Sequence, residues 1–304
     1  MRLPPAIRNA IRLIFEQPNA AVTEAVSTQT GYREPELDVK FIEALQGFQR
    51  PLAVRDWLVR VDAIRIGSYQ VHIKKEAGDI ALIAHYYRGG KLRKKKMVIL
   101  QAKKLYARPM HRSDAGTVFN YDSASRYAAF NSSQQAEIQS FAATFGVPVV
   151  YAFYNPCKLP HVVQPPGVSE ATRYLDELLG SHVFDGTRPR DVQHELSSSE
   201  PNRVGCRIVP AETVHSQIEE LPTSDLSFKV LMGISGFTKG KHRGGWRLED
   251  FVADVFLVCR IGAEVQDSLG SVAQLAARLD EIGNRSLSAV VIVTLEAPNG
   301  HSYE

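Results

Sequence analysis

Two apolar segments on either side of a glycine turn place the strongest constraint on the fold of this chain. Residues 78–84 (GDIALIA) and residues 97–103 (MVILQAK) each have the composition of a buried β-strand. Residues 88–91 (RGGK), which lie between them, have the composition of a turn. The order predicts two neighbouring strands in the interior of an α/β protein.

Three polar residues interrupt these apolar segments. Asp79 stands near the start of the first segment, and Gln101 and Lys103 end the second. Strand side chains alternate between faces with a period of two, so Gln101 and Lys103 project from the same face. If the strands pair, Asp79 reaches that face as well. A carboxylate, an amide oxygen and an ammonium then converge, and such a set can hold a divalent cation and position a water beside a phosphate.

The pattern up to residue 156 predicts an α/β core in the order helix, strands, helix, strand. Its helices are expected where apolar residues recur at helical spacing, and its last strand is expected in an apolar run. The expected helices are residues 35–48 and 132–145, the expected strands beside the central pair are 57–66, 69–73 and 148–154, and residues 105–131 are expected to be irregular.

The composition shifts beyond Pro156, where prolines and polar loops separate the apolar segments. We therefore predict an N-terminal helix and linker at residues 1–29, the core at 30–156 and a C-terminal α/β extension at 157–304. The sequence leaves open whether the extension is a separate domain or packs on the core. Its expected elements are helices at 169–179, 248–259 and 272–282, strands at 204–209 and 289–295, and an exposed loop at 223–245.

Composition bounds the class of protein. The chain has 304 residues, of which 44% are hydrophobic and 23% charged, as in an ordinary globular protein, and its net charge is only +3. Its three cysteines lie far apart without the spacing of a zinc site, which favours a reducing, cytoplasmic location. No apolar run reaches the ~18–20 residues of a membrane span. Arginines and apolar residues at helical spacing in residues 1–17 predict a docked amphipathic helix, with a transit peptide as the alternative.

The order of Asp79 and the Gln101–Ala102–Lys103 tripeptide resembles the PD-(D/E)xK nuclease superfamily, the fold of many restriction enzymes. In that family the first acidic residue opens a central strand, and the (D/E)xK tripeptide lies on the next strand. Gln101 replaces the usual acid, as in the QxK variant of the superfamily, and the preceding proline is absent. The resemblance covers residues 30–156. It implies an α/β fold with a restriction-endonuclease-like core, in which helices flank a mixed central β-sheet.

The resemblance implies roles for the polar residues of the two strands. Asp79, Gln101 and Lys103 would be catalytic, with Mg2+ or Mn2+ as the cofactor. Asp79 and the side-chain oxygen of Gln101 would bind the cation, and the carbonyl of Ala102 would add a neutral ligand. An amide carries less charge than a carboxylate, so the affinity for the cation should fall. Lys103 would stabilise developing negative charge or orient the attacking water.

Residues on the two core helices complete the implied site. In the family an acidic residue on the first core helix often adds a catalytic carboxylate and metal ligand. Glu36 is the best match for that residue, and Glu34 and Asp38 are rivals. Gln135 or Gln139, on the helix that follows the QxK strand, is similar to the later part of the core. Gln135 is either an accessory residue of the site or a capping residue of its helix.

Two basic segments are candidates for binding a polyanion, because phosphate contacts supply most of the non-specific affinity for nucleic acid. We expect the first, a hairpin tip with no acidic residue, to lie beside the metal site; its alternative is a solvated turn that protects a strand edge. The second is either a nucleic-acid contact or an ordinary surface loop. The candidate residues are Arg88, Lys91, Arg93, Lys94, Lys95, Lys96 and Lys104 in the first segment, and Lys239, Lys241 and Arg243 in the second.

The expected function is a metal-dependent endodeoxyribonuclease acting on duplex DNA. The resemblance further implies a homo-oligomer, since one site cleaves one strand, and a role in prokaryotic defence against foreign DNA. The alternative is a nuclease-fold protein that binds nucleic acid or a partner protein without cutting, which the neutral Gln101 favours. RNA stays open as a substrate. The motifs of zinc hydrolases, serine hydrolases and dinucleotide-binding proteins are absent from the sequence.

Overall fold

The computed structural model describes residues 3–66, 75–113, 116–128, 130, 132–163, 204–219, 221, 226–234, 244–265 and 285–298. Its helices are α1 (Pro5–Thr28), α2 (Glu34–Gln46), α3 (Ser132–Phe145), α4 (Ala211–Glu219), α5 (Phe228–Gly233) and α6 (Leu248–Asp250), and α6 continues as a π-helical segment, Phe251–Phe256. Its strands are β1 (Leu52–Val54), β2 (Trp57–Arg65), β3 (Lys75–Arg88), β4 (Lys91–Tyr106), β5 (Arg108–Ser113), β6 (Gly116–Tyr121), β7 (Arg126–Tyr127), β8 (Val149–Tyr154), β9 (His161–Val163), β10 (Arg207–Pro210), β11 (Trp246–Arg247), β12 (Ala263–Glu264) and β13 (Arg285–Ala297).

The central sheet is mixed and has the strand order β1-β2-β13-β3-β4-β8-β10-β11. β3 and β4 form the predicted antiparallel hairpin, and β4 and β8 are parallel, with α3 between them in the chain. The hairpin turn requires glycine because Gly89 and Gly90 both have positive φ, 57° and 71°. The predicted mixed sheet of an α/β protein is therefore confirmed.

Helices cover both faces of this sheet. We call the face that carries the side chains of Gln101 and Lys103 the front, and the face that carries Lys104 the back. α3 and α4 lie on the front, where His215 Nε2 of α4 and the Tyr151 hydroxyl of β8 form a 2.9 Å hydrogen bond. α1, α2 and α6 pack together on the back. The sheet thus separates two helical layers.

The N-terminal helix docks on the protein as predicted. The apolar side chains at helical spacing, Ile7, Ile11 and Ile14 among them, are buried. α1 continues to Thr28, through a stretch that looked polar in sequence, because its apolar stripe continues there and packs on α2. Arg12 also donates a 3.1 Å hydrogen bond to Asp250 of α6. Burial and ion pairing together hold α1 against the back layer.

Two predictions of irregular structure are wrong. Residues 105–131 contain β5 and β6, which pair with each other and with β9 in a second, three-stranded sheet, and β7, which pairs with β4. Cross-strand pairing stabilises these strands, although their sequences lack clear alternation. The expected loop at 223–245 contains α5, which begins where the Ser227 hydroxyl accepts a 3.3 Å hydrogen bond from the backbone N–H of Val230.

Strands from beyond residue 156 complete the central sheet. β10 pairs with β8, and β13 lies between β2 and β3, antiparallel to the first and parallel to the second. The predicted strands at 204–209 and 289–295 and the predicted helix at 248–259 correspond to β10, to β13 and to α6 with its π-helical segment. The expected strand at 69–73 and the expected helices at 169–179 and 272–282 lie outside the described residues.

Candidate functional site

Asp79 and Gln101 lie side by side on β3 and β4. The register pairs Ile80 with Leu100. Because the strands are antiparallel, Asp79, which precedes Ile80, lies opposite Gln101, which follows Leu100. Gln101 Nε2 donates a 2.8 Å hydrogen bond to Asp79 Oδ2, and each of the two residues is only 4% exposed. The predicted adjacency of the carboxylate and the amide is confirmed.

Among the described residues no strand pairs with β4 on the β3 side from Gln101 to Lys104, and we call this stretch the open edge of β4. The described β3–β4 register ends at Leu100, and beyond it the backbone N–H of Ala102 donates to Asp79 Oδ2. The next N–H on the same side of the strand, that of Lys104, donates to Glu34 Oε1 at 3.0 Å. Two carboxylates from different elements therefore replace the missing strand partner. The N–H groups they accept from are two residues, about 7 Å, apart along the strand.

Glu34, rather than Glu36, is the carboxylate of α2 that reaches this edge. Glu36 Oε2 accepts a 2.6 Å hydrogen bond from the backbone N–H of Arg33 and so caps the helix that carries it. Asp38, the third candidate, is buried and accepts a 2.6 Å hydrogen bond from the Tyr154 hydroxyl. Residues two positions apart on a helix do not share a side, so Glu34 and Glu36 diverge.

Lys103 lies on the front face, as its spacing from Gln101 predicts, and is 4% exposed. Its Nζ lies over the ring of Phe130, 5.2 Å from the centroid. That ring also packs on Tyr151 and Phe153 of β8, with centroid distances of 5.3 and 6.4 Å. A cation held over an aromatic ring in a partly desolvated place is stabilised by the electrostatic attraction of the ring face. Phe130 was not predicted as a site residue, because nothing in the neighbouring sequence distinguishes it from an ordinary apolar residue.

The first turn of α3 lies at the same end of the sheet. α3 starts two residues after Phe130 and returns the chain to Val149, which pairs with Ile99 near the middle of β4. The N-terminus of α3 is therefore the end nearer Lys103, and Gln135 lies in that first turn with a half-buried side chain. This placement fits either predicted role of Gln135.

Lys95, Lys96 and Lys104 were predicted to contact nucleic acid, and all three are buried. The ammonium groups of Lys96 and Lys104 donate to backbone carbonyls inside the protein, which argues against that role for these two. Lys96 Nζ donates to two backbone carbonyls, those of Phe256 and Ile261, at 3.2 and 2.8 Å. The side chain of Lys104 is fully buried on the back face, and this burial lowers the pKa of its ammonium to about 8. Alternation puts Lys96 and Lys104 on the back face and Lys95 on the front, and protein covers both faces there.

The basic hairpin tip is not beside the site, which corrects a further prediction. Nine residues of β3 separate Asp79 from Arg88, and strand geometry converts that to about 30 Å. Lys91 and Arg93 are exposed at the tip, and Lys94 pairs with Glu264 at 3.1 Å. These four basic residues remain candidates for a distant contact. Lys239, Lys241 and Arg243 lie outside the described residues.

The donors around the open edge suit a hard divalent cation in chemical type. Asp79 and Glu34 offer carboxylates, and Gln101 and Ala102 offer an amide oxygen and a backbone carbonyl. Within the described residues no three Asp, Glu, His or Cys side chains are close enough together to hold a metal by themselves. A cation at this edge would therefore need the neutral oxygen ligands as well. The hydrogen bond between Asp79 and Gln101 lies where the cation would bind, and a half-turn of the amide would present its oxygen instead.

Comparison of the chain with protein-family models, with curated proteins and with solved structures gave no match. Among the helices that the structure describes, none combines the length and the apolar character needed to cross a membrane.

Proposed function

We propose that this protein is a metal-dependent endodeoxyribonuclease that hydrolyses phosphodiester bonds with Mg2+ or Mn2+. The observation that carries the proposal is the pair formed by Asp79 and Gln101, 2.8 Å apart at the point where β3 and β4 part, with Lys103 on the same face. An acid, an amide and an ammonium in this order also carry the resemblance to the QxK nucleases.

Each residue has a role in this reaction. Asp79 supplies the charged ligand, and the Gln101 and Ala102 oxygens supply neutral ones. Glu34 accepts from an N–H about 7 Å further along the strand and would contribute through a water, since Mg2+ usually keeps several waters in protein sites. The cation, when bound, neutralises charge on the phosphate. Lys103, held over Phe130, stabilises developing negative charge or orients the attacking water.

The proposed substrate is duplex DNA. Lys91 and Arg93 are exposed about 30 Å from the site, a distance that corresponds to roughly nine base pairs at 3.4 Å each. A duplex lying along the β3–β4 hairpin would reach both places. A homo-oligomer that cuts both strands, and a role in prokaryotic defence, belong to the proposal through the family resemblance.

Plasmid cleavage with Mg2+ tests the proposal. Asp79→Asn and Lys103→Met should each lower the cleavage rate by about 10²-fold or more, because each removes a charge that acts on the phosphate or its cation. Asp62→Asn is the matched control, since Asp62 is a carboxylate on β2 that pairs with Arg60 at 2.8 Å. Unchanged cleavage by both site variants would remove Asp79 and Lys103 from the reaction. Parallel reactions with RNA test the substrate class.

A second candidate function is binding of nucleic acid without cleavage. The observation that favours it is that Asp79 Oδ2 already accepts from Gln101 Nε2 and from the Ala102 N–H, so the closed pair is stable without a cation. In this case the wild type would shift DNA in a gel, would leave it intact with Mg2+ or Mn2+, and would show no Mn2+ binding by calorimetry.

A further inference from the structure

Lys104 fastens the start of α2 to the end of β4 through both its backbone and its side chain. Its backbone N–H donates to Glu34 Oε1 at 3.0 Å. Its Nζ donates to the carbonyl oxygens of Thr30 and Tyr32 at 2.6 and 2.5 Å. These two carbonyls belong to the turn that joins α1 to α2. The turn and the carboxylate that follows it are thus held by one residue.

The ammonium of Lys104 lies in a buried environment that an apolar side chain could occupy without a desolvation cost. The residue is fully buried, and its Nζ lies 5.1 Å from the centroid of the Tyr106 ring. A buried cation is costly unless its donors are satisfied, and here backbone carbonyls satisfy them. Because carbonyl positions follow the backbone, these bonds fix the path of the turn as well as the side chain.

We infer that Lys104 is a positioning residue that holds the Glu34 carboxylate at the open edge of β4, two residues along the strand from the N–H that Asp79 binds. This role rests on the proposed function, because it concerns a ligand of the proposed cation site. Lys104 lies on the opposite face from Lys103, and so the two neighbouring lysines have separate tasks. Lys103 faces the substrate side, and Lys104 holds the second carboxylate.

Lys96 provides a matched control on the same strand. It also lies on the back face, is buried and donates from Nζ to two backbone carbonyls. Its carbonyls, those of Phe256 and Ile261, belong to the segment after α6. Eight residues, about 26 Å along the strand, separate it from Lys104. Loss of either ammonium removes the same kind of interaction, but only one of the two is tied to Glu34.

The test measures Mn2+ affinity by electron paramagnetic resonance for the full chain, the wild type beside Lys104→Met and Lys96→Met. We expect Lys104→Met to weaken Mn2+ binding by ~10–100-fold, the range seen when a residue that orients a metal ligand is lost. Lys96→Met should stay within about twofold of the wild type on the same grounds. Hydrogen exchange provides a second readout, in which the amide of residue 104 loses protection only in Lys104→Met.

A double substitution shows whether Lys104 acts through Glu34. Glu34→Gln alone should weaken Mn2+ binding while leaving the bonds to the turn intact, which also tests the role if Lys104→Met does not fold. In the Glu34→Gln background, Lys104→Met should weaken binding no further. Equal Mn2+ affinity in Lys104→Met and the wild type overturns the positioning role and leaves the nuclease proposal standing. Absence of Mn2+ binding by the wild type overturns the cation site and this role together.

Discussion

Replacing Gln101 by glutamate tests the proposed cation site without any assay of activity. In the wild type the Gln101 amide N–H donates to Asp79 at 2.8 Å. Gln101→Glu replaces that donor with a second carboxylate at about the same distance. The pair responds by sharing one proton, which raises the pKa of one of the two carboxyls. Keeping an ordinary glutamate protonated at pH 7.5 costs about 4.4 kcal/mol, since each unit of pH above its usual value of about 4.3 costs about 1.36 kcal/mol.

The loss of stability in the variant should therefore depend on pH and on metal. Without metal we expect a free energy of unfolding lower by about 3–4 kcal/mol at pH 7.5 and by about 1 kcal/mol at pH 5. The sign follows because the folded state binds the shared proton more tightly than the unfolded state, so that stability falls as the pH rises. Mg2+ should reverse the loss, since saturation at 1,000 times the dissociation constant contributes about 4.1 kcal/mol.

Urea denaturation at the two pH values, with EDTA and with Mg2+, measures these differences. Gln101→Met is the matched control: it also removes the hydrogen bond to Asp79 but adds no charge, so that its loss of about 1–3 kcal/mol without metal should change much less with pH, and Mg2+ should not reverse it. A glutamate variant that is equally stable at both pH values and insensitive to Mg2+ would refute a shared cation pocket between β3 and β4.

Two further predictions concern buried polar groups away from the open edge. Burial and the neighbouring Glu249 raise the pKa of Glu16 to about 7, so wild-type stability should fall between pH 4.5 and pH 7. In urea denaturation at a series of pH values, Glu16→Gln should remove about 2 kcal/mol of that decline in the free energy of unfolding. An unchanged dependence of stability on pH would contradict the raised pKa of Glu16. Tyr154→Phe removes a hydroxyl that donates to the buried Asp38 at 2.6 Å. Its free energy of unfolding should fall by about 1–3 kcal/mol in urea, and a neutral result would show that the carboxylate is satisfied without it.

The local elements of the site could be predicted because their signals lie close together in the chain. The glycine turn at residues 88–91 requires a backbone that glycine adopts readily, and it joins two apolar runs, so β3 and β4 follow from short-range chemistry. A period of two then puts Gln101 and Lys103 on one face and Lys104 on the other. Pairing of the two strands brings Asp79 to Gln101.

The periodicity of a strand does not show what covers each face of the sheet. That covering decided which lysines remain functional candidates. Lys95, Lys96 and Lys104 look like part of a basic surface in the sequence, but the back layer and the turn before α2 bury two of them against backbone carbonyls. Likewise, the choice of Glu34 over Glu36 depends on how α2 docks at the end of β4, where Glu34 accepts from the Lys104 N–H while Glu36 caps its own helix. Such contacts join segments tens of residues apart.

By itself, then, the sequence determined the β3–β4 hairpin, the helices on either side of it in the chain, and the sharing of one face by the amide and the ammonium. Only the tertiary structure decided that β13 enters the sheet between β2 and β3, that residues 105–131 form strands, and that Glu34 reaches the open edge of β4. The physical reason is the distance along the chain over which each interaction acts. Turn chemistry and side-chain alternation act between near neighbours in the chain, whereas strand order and the covering of a face are set by packing between distant segments.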